Sequence, residues 1–469
     1  MFSRKEKAPC LERAHSEITA GLRVAADSSL EHKLLQALAL RYPTDPECED
    51  FAPYNDALAN ALRPIHADHP DDLDVMFFFV ESLMNRTPWQ LWDIYKGAPN
   101  PDGSSAEARH ILETAFQSKA AWDHPGLLHM YIHLMEMSPT PEAALPHGDR
   151  LTSLCPDSGH LCHMASHVDV LCGDYQSVVA RNHRAATADL KFVDHAGREN
   201  FYALYRIHNL HFKIYGAMFL GQKATAMAAA DKLSVEVPEA VVRVYPELFE
   251  AYVTTRPHVM VRFGMWEDIL NEPIPTDLEL YAFTHALLRY ARTVALANLG
   301  QHDEAQSEAE IFHAAFDAIP EKRMLFQNKA RDVLEIARNM MLGEMAYKSG
   351  DIEIGFEHLR QAVKADDGLM YEEPWAWPQP ARHALGALLL ESGRLEEAEK
   401  VYRADLGLDP SVPRALQNPN NIWALHGLHE CLQKRGEEVE IKHIRAQLDR
   451  AAARADIRIN ASCFCRKSS

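Results

Sequence analysis

Residues 384–410 read ALGALLLESGRLEEAEKVYRADLGLDP. Apolar residues recur at three- and four-residue spacing on either side of Gly393, which predicts two amphipathic helices joined by a turn. Gly386 and Ala398 are small enough for the two helices to approach closely. Gly393 frees the turn, and Pro410, which cannot continue a helix, opens the next unit. The upstream segment LGEMAYKSGDIEIGFEHLRQAV repeats the frame with Leu342, Gly343 and Gly350. Gly173, Gly221, Gly300 and Gly436 mark further turns, so the chain reads as stacked helix-turn-helix units. The wide gap between Gly221 and Gly300 reads as Pro-bearing loop, RPHVMVRFGMWEDILNEPIP, and no strand pattern competes with the helices.

Leu385, Gly386, Gly393, Ala398, Tyr402 and Pro410 stand at the spacing of a tetratricopeptide repeat, and the segment resembles one. The resemblance implies an all-α fold, an α-α superhelix in which the first helix of each unit lines a concave groove. The chain divides on this reading into N-terminal helical repeats with a Trp/Pro-rich insert (1–120), His-rich repeats (121–235), C-terminal repeats (236–455) and a Cys-containing tail (456–469). In the first part LEHKLLQALALRYP and DLDVMFFFVESLM read as helices, and RTPWQLWDIYKGAPNPDGSS reads as a loop whose rings cover a neighbouring helix.

The chain has 469 residues, 47% apolar and 25% charged, with a formal net charge of −19. It can bury ample core, and a surplus of acid argues against a phosphate-backbone partner. No apolar run approaches the ~20 residues that span a bilayer. The start, MFSRKEKAPCLERAH, lacks the apolar core of a secretory signal, so a cytoplasmic chain with reduced thiols is expected. Eight scattered cysteines, among them Cys463 and Cys465, do not read as a disulfide framework.

Chemistry concentrates between residues 124 and 215, in HPGLLHMYIHLME, GHLCHMASHVDV and IHNLHFKIY, which with their surroundings hold eleven of the 25 histidines. His129 with His133, and His163 with His167, form HxxxH pairs, each on one helix face. The pairs are 34 residues apart, one tetratricopeptide period. Counting back from Gly173 puts His160, His163 and His167 at the second, fifth and ninth positions of a first helix. The same count from Gly221 gives His208, His211 and Tyr215. His129, His133 and Glu136 take the fifth, ninth and twelfth positions of the preceding unit. The expectation is that His129, His133, His163 and His167 converge as metal ligands, with Glu136 or His211 completing or assisting the site. Tyr131 lies off that face.

Imidazoles suit zinc, copper, iron and nickel, and facing helices that each project two ligands are a known way to build a metal centre. An HExxH zinc hydrolase needs Glu after the first His, where this chain has Met130. Glu136 with His129 and His133 would suit iron, whereas an all-histidine set suits copper, which is favoured over iron or zinc. The bland alternative is that these rings grip an acidic peptide or are hydrogen-bonded core residues. Cys463 and Cys465 could chelate a soft metal, form a redox pair or belong to a solvated tail. YEEPWAWPQPARH reads as a packing plug ahead of a rigid loop over the groove. No GxSxG, P-loop or Rossmann fingerprint stands in a supporting context.

HPGLLHMYIHLMEMSP with EAALPHGDRL, GHLCHMASH, HNLHF, YEEPWAWPQPARHALGALLLESGR, NNIWALHGL and ASCFCR together resemble a little-characterised family of bacterial and fungal tetratricopeptide-repeat proteins. The match runs from about residue 35 to the end. It departs at Ala165, where the family has proline, and near the start, where a family repeat is missing or shortened. The resemblance implies the fold and leaves the reaction to the histidine geometry. Two functions follow. The first is a metal-dependent redox enzyme acting on a small organic molecule, and the second a non-enzymatic scaffold that binds a peptide in the same groove.

Overall fold

The computed structural model describes residues 4–466. Among them, regular structure is helical apart from two hairpins of two-residue strands, Trp92–Asp93 with Ala98–Pro99 and Met324–Leu325 with Asn328–Lys329. The all-α reading therefore holds, and the hairpins correct the expectation that no strand is present. Strands this short carry no period-2 pattern to read. No helix among the described residues is long and apolar enough to cross a membrane. The chain forms two compact units, Met1–Cys155 and Pro156–Ser469. The boundary falls between the two HxxxH pairs.

In the first unit the helix Leu73–Met84 is started by Asp72, whose carboxylate accepts from the backbone N–H groups of Asp74 and Val75 at 3.0 Å each. Such a cap is worth ~1 kcal/mol. The helix buries Val75, Phe79, Val80 and Leu83. The helix Pro125–Glu136 opens on Pro125 behind His124, whose Nδ1 accepts from Leu127 N–H at 3.1 Å. In the Trp-rich insert, buried Trp92 donates from Nε1 to the Leu134 carbonyl at 2.6 Å, so the first hairpin is pinned to that helix.

In the second unit the helices pack largely on their neighbours in sequence, as stacked pairs do. Gly173, Gly221, Gly300, Gly350, Gly393 and Gly436 all have φ between +71° and +98°, the left-handed turn expected of them. The structure adds Gly264, at φ +62°, between the helices Thr255–Arg262 and Trp266–Leu270. The Pro-bearing stretch is thus a further helical hairpin rather than a loop. Pro257 sits in the first turn of its helix, where a missing N–H costs nothing. Gly350, Gly393 and Gly436 recur every 43 residues, a longer period than 34. The difference lies in connections such as the stretch between Pro410 and the helix Ile422–Arg435, so Pro410 opens a connecting loop and not a helix.

Close approach works as foreseen at Gly386, where an added Cβ would stand 2.6 Å from the Tyr402 ring. A second glycine, Gly427, would bring its Cβ to 2.1 Å from the same ring. Tyr402 is therefore fully buried against two helix backbones.

The tail docks on this unit. Ser462 donates to the His383 carbonyl at 2.8 Å and stands 2.6 Å from the Tyr402 hydroxyl. Arg262 reaches the Ser462 carbonyl at 2.7 Å while its guanidinium lies 3.6 Å over the Trp423 ring. Arg466 clasps the Glu430 carboxylate at 2.6 and 2.9 Å. Cys465 is fully buried and joined to Cys463 by a disulfide. A solvated tail with reduced thiols is corrected up to residue 466, and its last three residues lie outside the described residues. The other described cysteines are thiols outside any disulfide.

Candidate metal centre

His163 ends the helix Gly159–His163 and His167 lies in the helix Ala165–Leu171, the two being separated by a break at Met164. Sequence alone suggested one unbroken helix. Both rings are buried, at 0% and 2% exposure. Their Nε2 atoms are 2.7 Å apart.

The orientation of His163 is set by Asn182 on the helix Tyr175–Ala196. Asn182 Nδ2 donates to the Val178 carbonyl at 2.8 Å and to Ser166 Oγ at 3.0 Å. Its Oδ1 is therefore the acceptor that faces His163 Nδ1 at 2.6 Å, and His163 carries its proton on Nδ1. The Nε2 lone pair of His163 then points at His167 Nε2. In His167, Nδ1 faces a Glu373 carboxylate oxygen at 3.6 Å. Each ring thus turns Nε2 inward; behind Nδ1, His163 has a hydrogen-bonded oxygen, the outer-shell arrangement that orients metal-bound histidines, and His167 has a nearby carboxylate oxygen at ion-pair distance.

A third ring comes from the helix Ala203–Leu220. His208, half-buried, lies with its ring centroid 4.6 Å from that of His163 and 6.0 Å from that of His167. One ligand atom from each of the three rings lies within 4.8 Å of the others. Phe212, one turn further along, stacks on His167 at 4.9 Å and meets His163 edge-on at 4.7 Å, closing the cluster with an apolar wall. Burial, followed by the charges that His208 and His167 would carry, holds His163 well below the usual histidine range. The ring is therefore neutral at pH 7, the form that binds a metal.

The frame counted from turn glycines made His211, not His208, the neighbour of His163. The contacts pair 163 with 208 and 167 with 212, an offset of 45, whereas Gly173 and Gly221 are 48 apart. The two helices are slipped by almost one turn relative to that frame. His211 instead packs edge-on against Tyr252 at 5.2 Å, and burial pushes it down to about 4. It forms a separate group with His258, which burial and the neighbouring His211 push to about 3.

The other pair belongs to the first unit. His129 and His133 pack edge-on with ring centroids 4.8 Å apart. His133 Nδ1 is 2.7 Å from an oxygen of Glu136, which is 2% exposed. Glu136 does share the face of the pair, as helical spacing implied, and it stands behind His133 as an orienting partner. Tyr131 lies off that face against His147, at 4.3 Å between ring centroids.

Sequence reasoning named His163 and His167 as ligands and placed His208 in register without making it one. It missed Asn182 and Glu373. Glu373 belongs to YEEPWAWPQPARH, the segment that also buries Trp377 at 1% exposure. That stretch is a packing plug through Trp377, and it also supplies the carboxylate beside His167.

No known protein-family model matches this chain, and a search of curated proteins finds no match.

Proposed function

We propose that the protein is a metal-dependent redox enzyme acting on a small organic molecule, with a transition-metal ion held by His163, His167 and His208. The observation that carries this reading is the 2.7 Å separation of two inward Nε2 atoms, each ring having an oxygen behind its Nδ1. In a merely structural pair one proton bridges the two nitrogens. A cation can take over the role of that proton once the two nitrogens open to the ~3.3 Å that metal–nitrogen bonds of ~2 Å require, and the third imidazole then completes a face of ligands. Three imidazole ligands without a carboxylate among them favour copper over iron, and zinc remains the redox-silent competitor. Such an ion would supply one-electron chemistry. The chain's own residues would fix ligand direction through Asn182 and Glu373 and exclude water on the Phe212 side.

The rival is a non-enzymatic tetratricopeptide scaffold that binds a peptide, which the resemblance to such repeats keeps in view. Peptide carboxylates are usually met by free Lys, Arg or Asn. In the second unit a narrow cleft of about 20 Å³, room for about one water, is walled by Tyr215, Trp375, Trp377, Asp366 and Arg382. Arg382 is already clasped by Asp367 through two hydrogen bonds of 2.5 Å. A guanidinium committed to Asp367 is not available to the carboxylates of an acidic tail, which counts against the rival.

The test is elemental mass spectrometry of the purified full chain, followed by titration with copper, iron and zinc. About one equivalent of metal at this site is expected, with nitrogen couplings in the electron paramagnetic resonance spectrum of the copper form. Protein that carries no metal and refuses all three ions removes the enzyme reading.

A further inference from the structure

The disulfide tail meets a second buried group that the histidine chemistry does not use. Glu344 lies on the helix Ala330–Ser349 and is 2% exposed. An oxygen of its carboxylate and the sulfurs of Cys463 and Cys465 all lie within 4.8 Å of one another. Asn298 donates to Glu344 Oε2 at 3.0 Å. Burial pushes the carboxyl up to about 7, so it stands in an environment that would gain from a cation.

The tail around the sulfurs is held by contacts that do not involve the S–S bond. Lys348 donates to the Cys465 carbonyl, and Ser462 and Arg466 make the bonds to His383, Tyr402 and Glu430 described above. Phe464 lies against the Gly264 turn, where a Cβ would come within 2.7 Å of it. Reduction would therefore leave two thiols beside a carboxylate in a prearranged pocket.

We propose that reduced Cys463 and Cys465 form, with Glu344, a binding site for a borderline-soft divalent cation of the zinc class, which the disulfide closes. Two sulfurs and one carboxylate oxygen are a donor set for zinc, with a fourth position left to water. The chemistry balances. A dithiol reductant passes two electrons and two protons to the disulfide and becomes a disulfide itself. The cation then displaces both thiol protons and binds two thiolates and the carboxylate; a disulfide oxidant, which takes two electrons from the thiolates and two protons from water and leaves as a dithiol, re-forms the S–S bond and expels the cation.

The full-length chain, reduced with a trialkylphosphine that takes up the oxygen of one water to become its oxide, is titrated with cadmium chloride as the probe. The expected result is a reduction-dependent thiolate-to-cadmium charge-transfer band, taken as the excess over oxidised protein because six other described cysteines are thiols in both forms, that saturates at about one equivalent. Imidazole ligands give no such band, so the histidine site does not interfere. The C463S/C465S variant should lose the band, and Glu344→Gln should weaken binding at least tenfold. X-ray absorption at the zinc edge of the reduced wild type loaded with two equivalents, enough to fill the histidine site as well, should show sulfur neighbours that oxidised protein loaded in the same way lacks, which tests the donor set even where a variant fails to fold. The proposal is overturned by a reduced wild type without the band, by a band that survives in C463S/C465S, by undiminished binding in Glu344→Gln, or by a zinc shell without sulfur.

Discussion

Asn182 Oδ1 accepts the Nδ1 proton of His163 at 2.6 Å, and this bond between two fully buried side chains decides which nitrogen of His163 is offered to a ligand. Asn182 is itself held by Val178 and Ser166, so the ring has one tautomer and one direction. Outer-shell partners of this kind typically change metal affinity 10–100-fold. Asn182→Leu should weaken metal binding by about that factor in chelator competition, whereas Asn182→Asp, which still accepts the proton, should retain it. Equal losses in the two variants would reduce Asn182 to a packing residue.

The three-ring set itself is tested with His163→Asn and His208→Asn. Each should lower the metal content of purified protein severalfold or more, with helix content by circular dichroism unchanged. His211→Asn should leave metal content as it is, because that ring faces Tyr252. Loss of the metal in His211→Asn with retention in His208→Asn would show that the ligands follow the glycine-counted frame after all.

A pH response is expected from His147 in the first unit. Its ring stacks on Trp122 at 4.4 Å and packs against Phe116 and Tyr131, and burial pushes it down to about 4. The unfolded chain, near pKa ~6.5, takes up this proton before the folded chain does. The stabilisation is therefore complete above the unfolded value and declines as pH falls from about 6.5 towards 4. Up to about 3 kcal/mol is at stake. Urea unfolding at pH 7 and pH 5 should show a smaller loss of stability in His147→Phe than in the wild type. An identical loss would mean that the ring does not report burial.

Gly427→Ala should destabilise the second unit by about 1–3 kcal/mol, since the new methyl group would have to displace the fully buried Tyr402 ring. The double change with Tyr402→Leu should recover part of that loss. A Gly427→Ala midpoint equal to wild type would show that the helices can separate without cost.

Much of the helical architecture was legible before folding because its signals are local. Gly393 and its counterparts marked the turns, the apolar spacing of DLDVMFFFVESLM marked a helix, and Gly386 let two helices approach closely. Each depends on atoms a few bonds away or on a repeat frame. The HxxxH pairs were legible for the same reason, since residues four apart must share a helix face. Gly264 escaped because prolines around it masked a helical hairpin, and the 43-residue spacing escaped because connecting loops carry no period.

The geometry of the histidine cluster was settled by tertiary structure. Whether His208 or His211 meets His163 depends on how far one helix slides along its neighbour, and a slip of three residues exchanges one for the other. That slip is set by packing around Phe212 and Tyr252, which no local pattern encodes. Asn182 is 19 residues from His163, and Glu373 is more than two hundred residues from His167, so neither could be paired with its ring by spacing. The amino-acid sequence determined which residues could bind a cation and which way each helix would face. Only the packed fold decided which nitrogens point at one another, because that depends on distances of a few tenths of an ångström between segments remote in the chain.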